Sequence, residues 1–294
     1  MSALPCPVCV ERVADETPSV ARSETLSVLR WRGDRFSQES DELASEVAVA
    51  LEYNGIAHAV MLATPDDLED FAVGFSLSEG IVARAGEVLS VEVVPLASGI
   101  QLQLEITAAR FAMLKMHRRS LTGRTGCGLC GVESLEQVLR PLPSVQSTVR
   151  IAVAALHAAV ARATQPLQNR TGASHAALWI DVEQGLSCLR EDVGRHNALD
   201  KLIGALARSQ GATCDFARGA AVITSRASHE MVQKAAAAGI GVLAAMSAPT
   251  SAAVHLAEQL NVTLIGFLRA GGKHVVYSHP QRLVEFSGFV GETR

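Results

Sequence analysis

Aromatic residues are scarce in this chain: only 4% of its 294 residues are Phe, Trp or Tyr, although 48% are apolar. Ala and Val supply much of the apolar share, which implies a closely interdigitated core of small and branched side chains. A basic excess is also missing, the formal net charge being −4. That argues against nucleic acid as a partner, and no basic amphipathic run points to a membrane surface. No apolar stretch reaches spanning length, so no transmembrane helix is expected. Residues 1–16 contain neither the basic nor the apolar run of a secretory leader, and a cytoplasmic location is expected. The six cysteines (Cys6, Cys9, Cys127, Cys130, Cys188 and Cys214) then do not suggest a disulfide framework. Two C-x-x-C pairs in such a chain suggest metal or thiol chemistry.

The pattern along the chain predicts an α/β protein whose mixed sheet is covered by helices, with a smaller N-terminal part containing antiparallel strands. Residues 1–22 are polar and patternless and read as a flexible tail. Residues 23–140 form the N-terminal part and 150–294 the C-terminal domain, joined by a proline- and serine-bearing linker over 141–149. In the first part, Asn54-Gly55 between two apolar runs signals a hairpin. Thr64-Pro65-Asp66-Asp67 reads as a capped helix start, with Gly80 as the stop. A second strand pair is expected over 88–94 and 100–106, then a helix over 108–119. The second half begins with a helix over 150–164 and strands over 175–181 and 186–193. Helices over 197–208, 228–238 and 249–260 then alternate with strands over 220–224, 242–246 and 262–268. Such alternation predicts a mostly parallel sheet.

In a sheet of that kind, ligands bind beyond the carboxyl ends of the strands. Four loops fall there: Asp192-Val-Gly-Arg-His-Asn197, Ser225-Arg-Ala-Ser-His-Glu230, Ser247-Ala-Pro-Thr250 and Arg269-Ala-Gly-Gly-Lys273. Three of them open helices, whose free N–H groups and positive dipole ends suit phosphate. Arg195, Arg226, Arg269 and Lys273 can add charge-assisted contacts, so an anionic, nucleotide-containing ligand is expected. Ser228, Asn197 and Thr250 also read as ordinary helix caps. Asp192, Arg195, His196 and Asp200 form a dense polar cluster, suited either to acid–base work or to tying a strand end to a helix start. His175 and His58 read as structural.

The sharpest local signal is Leu121-Thr-Gly-Arg-Thr-Gly-Cys-Gly-Leu-Cys-Gly131, whose four glycines preclude a stable helix or central strand. A helical pattern begins just after it. A cysteine close to that helix start and to Arg124 is expected to have a depressed pKa and to be nucleophilic. Three chemistries suit the loop. A structural zinc site would need two more ligands, which Cys6-Pro-Val-Cys9 could supply. A thioredoxin-like dithiol would want a βαβ context that is missing here. Persulfide chemistry is the third, and residue types alone do not single it out.

Thr125-Gly-Cys-Gly-Leu-Cys-Gly131 resembles the cysteine motif of the FdhD/NarQ family of formate dehydrogenase accessory proteins. So do Gly172-Ala-Ser-His-Ala-Ala177, Arg190-Glu-Asp-Val-Gly-Arg-His-Asn-Ala-Leu-Asp-Lys201 and Ser225-Arg-Ala-Ser-His-Glu230, followed in order by Ala248-Pro-Thr250 and Gly266-Phe-Leu-Arg269. The resemblance runs from about Glu46 to Tyr277. It implies a sulfurtransferase that takes persulfide sulfur from a cysteine desulfurase. The acceptor it implies is the molybdenum bis(molybdopterin guanine dinucleotide) cofactor, supplied to formate dehydrogenase. By the same likeness Cys127 would carry the persulfide with Cys130 as its partner, and Phe267, Leu268, Arg269, Ala270, Gly271 and Gly272 would bind the cofactor. Arg195, His196, Ser225, Arg226 and Ser228 join them from the loop reading. No resident metal is implied, and a homodimer is allowed. A zinc-bearing cofactor chaperone is the alternative. The family's fold is similar to that of cytidine deaminases, which extends to the C-terminal part. The deaminase signature H-x-E followed by P-C-x-x-C is absent, however, because Ala177 stands where the glutamate would. Two departures stand out: Val132 occupies a position where the family often has a more basic residue, and Cys6 and Cys9 have no counterpart in it.

Overall fold

The computed structural model describes residues 20–122, 141–209 and 216–284. The cysteine loop with Cys127 and Cys130, the Cys6/Cys9 pair and Cys214 lie outside the described residues, as does nearly all of the expected tail.

A two-stranded ribbon comes first, β1 (Ser23–Arg32) with β2 (Arg35–Ala44). A four-stranded sheet follows, built from β3 (Val47–Tyr53), β4 (Ile56–Ala63), β5 (Val88–Leu96) and β6 (Gly99–Ile106) in the order β4-β3-β6-β5. The expected Asn54-Gly55 hairpin joins β3 to β4, both turn residues having the positive φ that a tight hairpin requires. Helix α1 (Leu68–Ser78) lies between β4 and β5, and α2 (Ala108–Thr122) follows β6. Gly80 ends the first of these at φ +71°, as predicted. Its start lies four residues beyond the expected cap, because the polar groups of Thr64 are engaged elsewhere, as described below.

After the stretch 141–150 come β7 (Ile151–Ala152), α3 (Val153–Arg162) and α4 (Pro166–Thr171). The expected helix over 150–164 is thus shortened, since Ile151 and Ala152 pair with Leu283 and Val284 of the last strand, β14. The remaining elements are β8 (His175–Asp181), β9 (Gly185–Asp192), α5 (Arg195–Ser209), β10 (Gly219–Ile223), α6 (His229–Ala237), β11 (Val242–Ala245), α7 (Ser251–Gln259), β12 (Thr263–Gly266) and β13 (Val275–Ser278). They form a six-stranded sheet in the order β13-β12-β11-β10-β8-β9. Only β10–β11 and β11–β12 pair in parallel; β8 is antiparallel to both neighbours and β13 to β12. The sheet is therefore mixed, as the overall pattern predicts, but not mostly parallel as the alternation of its second half suggests, because a tight turn joins β8 to β9 where a crossover helix would be needed to keep them parallel.

Side chains alternate across this sheet with a period of two. Ala177, Trp179, Ala221, Ile223, Leu243, Ala245 and Leu264 face one apolar cluster, and Ala176, Leu178, Ile180, Ala220, Val222, Val242, Ala244 and Ile265 face another. The second cluster is closed by Leu156 and Ala159 of α3. The first takes in α5, α6 and α7 and continues through α1 to Val49, Leu51, Tyr53, Leu102 and Leu104 of the four-stranded sheet. One apolar interior thus runs through both sheets.

The hinge of this packing is the pair α1 and α5. A Cβ added to Gly74 would lie 1.7 Å from the carbonyl oxygen of Asp200, and one added to Gly204 would lie 1.8 Å from that of Asp70. Both obstacles are backbone, so the helices could accept a methyl group only by separating. Gly74→Ala is expected to destabilise the fold by about 2–4 kcal/mol. Gly271→Ala, which meets nothing within 4 Å, is expected to change it by less than about 0.5 kcal/mol. Urea unfolding of the two variants beside the parent chain checks both values.

Candidate functional site at the carboxyl edge of the six-stranded sheet

Because β9 is antiparallel to β8 and β8 to β10, the carboxyl ends of β9, β10, β11 and β12 share one edge. All four predicted loops therefore gather there, together with the first residue of β8, His175, which pairs with Asp192.

Close polar contacts and hydrogen bonds chain the loops to one another. Nε2 of His196 on α5 lies 2.7 Å from Oε2 of Glu230 on α6, a charge contact without hydrogen-bond geometry that brings the first loop against the second. The second meets the third where Ala227 bridges Pro249 and the Thr250 N–H donates to the Ala227 carbonyl at 3.0 Å. The third meets the fourth where the Phe267 N–H donates to the Ser247 carbonyl at 3.2 Å and that of Leu268 to Ala245 at 3.0 Å. Those two bonds hold Phe267 at φ +56°, a left-handed conformation that costs a bulky residue about 1 kcal/mol or more. Strain of this kind marks a backbone whose course is set by its surroundings.

The predicted contacts divide by exposure. Arg226, Arg269, Ala270, Gly271, Gly272 and Lys273 are exposed, and Phe267 is 41% exposed. Arg195, His196 and Ser228 are half-buried and Ser225 is buried, its hydroxyl donating to the Arg226 carbonyl at 3.1 Å. The Leu268 side chain is fully buried in the core, so only its backbone faces the edge. Among the described residues no carboxylate pairs with Arg195, Arg226, Arg269 or Lys273. Two polar atoms at the start of α6, Ser228 Oγ and His229 Nδ1, are buried without a hydrogen-bond partner. Unmade bonds of this sort are costly, and a polar ligand would relieve them.

The polar cluster read from the sequence separates into two jobs. Arg195 and His196 point to the edge. Asp192 is fully buried, accepting from the Thr64 N–H at 3.0 Å, from the Gly194 N–H at 2.8 Å and from Asn197 Nδ2 at 3.0 Å. It also pairs with Lys201 Nζ at 2.7 Å, and that ammonium donates in turn to the Thr64 carbonyl at 3.0 Å. The Thr64 Oγ1 accepts from the Val193 N–H. Every polar group of Thr64 is thus spent on the β9–α5 corner, which is why α1 begins later. Asp200 is buried as well, held by Ser78 Oγ at 2.6 Å and Lys234 Nζ at 2.9 Å. Both aspartates therefore lock the edge loops to the N-terminal part.

Sequence reasoning did not find His157 and His274. Nδ1 of His157 lies 2.5 Å from the Arg269 carbonyl and its Nε2 lies 3.1 Å from Nδ1 of His274. A carbonyl only accepts, so His157 carries its hydrogen on Nδ1, and a neutral ring then accepts from His274. The pair pins the base of the fourth loop from α3, 112 residues away in sequence. No local pattern could signal it.

His175 and His196 are both held below the ordinary histidine range, first by burial and second by the Arg195 guanidinium. Each ring protonates less readily in the folded chain than in the unfolded one, so acidification through about pH 6.5 lowers folding stability. A phosphate group beside Arg195 would offset that second contribution and leave the one due to burial, so each histidine would protonate more readily with the ligand than without it. Both histidine pKa values are expected to rise on saturation with a guanine nucleotide, and affinity to increase as pH falls from about 7 to 6. Histidine ring signals followed by NMR titration, with and without guanosine diphosphate, check this.

Comparison with known proteins agrees with the motifs. The sequence profile of the FdhD/NarQ family matches residues 44–284. A sulfur carrier protein FdhD of Cupriavidus necator is 58% identical over 261 residues, covering 88% of this chain and 89% of its own length. One of Bordetella petrii is 52% identical over 278 residues, covering 93% and 99%. The crystal structure of a formate dehydrogenase accessory protein from Desulfotalea psychrophila superposes with a TM-score of 0.69 at 22% identity, covering 90% of this chain and all of that one. With a profile spanning most of its length and relatives above half identity, the chain belongs to the FdhD/NarQ family.

Proposed function

We propose that the protein is a sulfur carrier for formate dehydrogenase: it receives sulfur as a cysteine persulfide and delivers it to a molybdenum cofactor bearing guanine dinucleotide. The observation that carries this reading is the convergence of four anion-ready loops on one edge, in a chain whose relatives are named as sulfur carriers. The cofactor enters as the acceptor substrate. Arg195, Arg226 and Arg269 suit its phosphates, with the free N–H groups at the starts of α5 and α6. The Ser225 and Ser228 hydroxyls, His196 and the backbone of Phe267, Leu268, Ala270, Gly271 and Gly272 suit its polar edges.

Residues 23–140 would supply the sulfur-bearing loop and 150–294 the cofactor seat. In the first step the Cys127 thiolate attacks the outer sulfur of a persulfide on a cysteine desulfurase. A new S–S bond forms on Cys127, the donor S–S bond breaks, and the donor cysteine leaves as thiolate. In the second, Cys130 attacks the inner sulfur of the Cys127 persulfide. The Cys127–Cys130 disulfide forms and the terminal sulfur leaves as sulfide for the acceptor, its two electrons coming from the two thiolates. A thiol reductant then restores the pair. A cytoplasmic setting, where such reductants are abundant, suits this cycle. The sulfur-carrier names of the relatives favour it over a zinc-bearing chaperone.

Incubation with a cysteine desulfurase and cysteine, followed by peptide mass spectrometry, tests the proposal. One added sulfur on the peptide bearing Cys127 is expected, lost in Cys127→Ala, together with loss of formate dehydrogenase activity in cells carrying that variant. Unmodified cysteines beside a loaded control acceptor would contradict it. So would full activity in Cys127→Ala.

A further inference from the structure

The opposite end of the six-stranded sheet holds a second concentration of unpaired positive charge that the sulfur-carrier reading does not use. A cleft of about 340 Å³ opens there, lined by Ser147, Thr148, Val149, Arg150, Asn261 and Arg282 together with Gln281. It adjoins the amino ends of β11 and β12, across the length of the strands from the loops described above. Ser147 rests on Gly241, where an added Cβ would lie 2.4 Å from the serine Cβ, so the strand start and the wall of the cleft are in direct contact.

Arg282 is the notable member. It is only 4% exposed, yet no carboxylate pairs with it or with Arg150 among the described residues. Its Nε donates to the Ser147 carbonyl at 3.1 Å and its Nη1 to Thr263 Oγ1 at 3.3 Å. Thr263 is itself fixed, donating through the same oxygen to the His279 carbonyl at 2.6 Å. These bonds aim the guanidinium and use two of its five donors; among the described residues no partner holds the others, and the residue lines the cleft. Burying a cation without a counter-ion is costly, and native chains rarely accept it. Burial pushes this guanidinium below the ordinary arginine range.

The surroundings are those of an oxyanion seat. Arg150 is exposed at the mouth, and the Ser147 and Thr148 hydroxyls add short donors. The wall is held still: the Val145 N–H donates to the Leu260 carbonyl at 2.8 Å, and Asn261 Nδ2 donates to the Val145 carbonyl at 2.8 Å. We propose that this cleft binds a phosphate group, free or ester-linked, between Arg282 and Arg150, as a site separate from the carboxyl-edge loops. A planar fork on a buried stem, a second guanidinium at the rim and flanking hydroxyls are what bidentate phosphate recognition requires.

The two sites are separable by mutation, so the test starts from the full chain carrying Arg226→Ala and Arg269→Ala, which removes cations from the carboxyl edge. Inorganic phosphate and ribose 5-phosphate are titrated into it by calorimetry. A saturable site is expected to persist, and to weaken about tenfold or more when Arg150→Ala is added. Tighter binding of the sugar phosphate would identify an ester-linked ligand, and equal affinities a free phosphate. Arg282→Gln is expected to abolish the site while thermal unfolding stays cooperative. Should that variant fail to fold, Arg150→Ala together with Thr148→Val gives the same reading from exposed positions. Absence of binding in the starting variant would overturn the proposal, as would binding that Arg150→Ala leaves unchanged.

Discussion

The contact on which the rest of the molecule depends is the crossing of α1 and α5 at Gly74 and Gly204. With hydrogen atoms in place of side chains, each helix backbone lies against the other, closer than any Cβ would permit. That proximity brings the N-terminal four-stranded sheet and the six-stranded sheet into one apolar interior. It also leaves little room for water between the polar groups that flank it. Arg190 and Arg208 close on Asp70 on one side, Lys201 and Asp192 meet Thr64 in the middle, and Lys234 joins Asp200 and Ser78 on the other. The Lys201–Asp192 and Lys234–Asp200 pairs are buried on both sides; buried ion pairs gain little over apolar packing, but removing one partner from such a pair costs about 3–5 kcal/mol. Their effect here is to admit one arrangement of the helices and no neighbouring one.

Function inherits that rigidity. Asp192 is the last residue of β9, and Arg195 and His196 open α5 after two intervening residues, so the network that fixes Asp192 also sets where the cationic loop begins. From there the His196–Glu230 contact reaches the second loop, and hydrogen bonds pass the position along through Ala227, Ser247 and Phe267. Loops joined to a fixed sheet edge can keep unpaired arginines and unpartnered polar atoms near one another. In water those groups would be solvated separately and would lose the preorganisation that makes a phosphate seat.

The sequence carried much of this, and what it missed has identifiable causes. The helices and strands of the second half were legible because their apolar periods are clean and glycines close them. The parallel assumption failed at β8, where a tight hairpin to β9 replaces a crossover, a distinction that periodicity cannot make. The β1–β2 ribbon was passed over because its strands are exposed on both faces and lack alternation, although Gly33-Asp34 spans them as a two-residue turn. Thr64 looked like a helix cap because its donor and acceptor groups suit one. Only the fold shows that residues about 130 positions later claim them. The edge loops were found by a rule about strand ends, whereas the His157–His274 clamp joins positions with no local signature.

Hydrogen–deuterium exchange of the full chain, with and without guanosine diphosphate, tests the central claim that the carboxyl edge is a nucleotide seat. The account predicts slowed exchange in the segments 193–198, 225–230 and 267–273, with β4 and β5 unchanged. Protection confined to other segments, or no protection at saturating nucleotide, would contradict it.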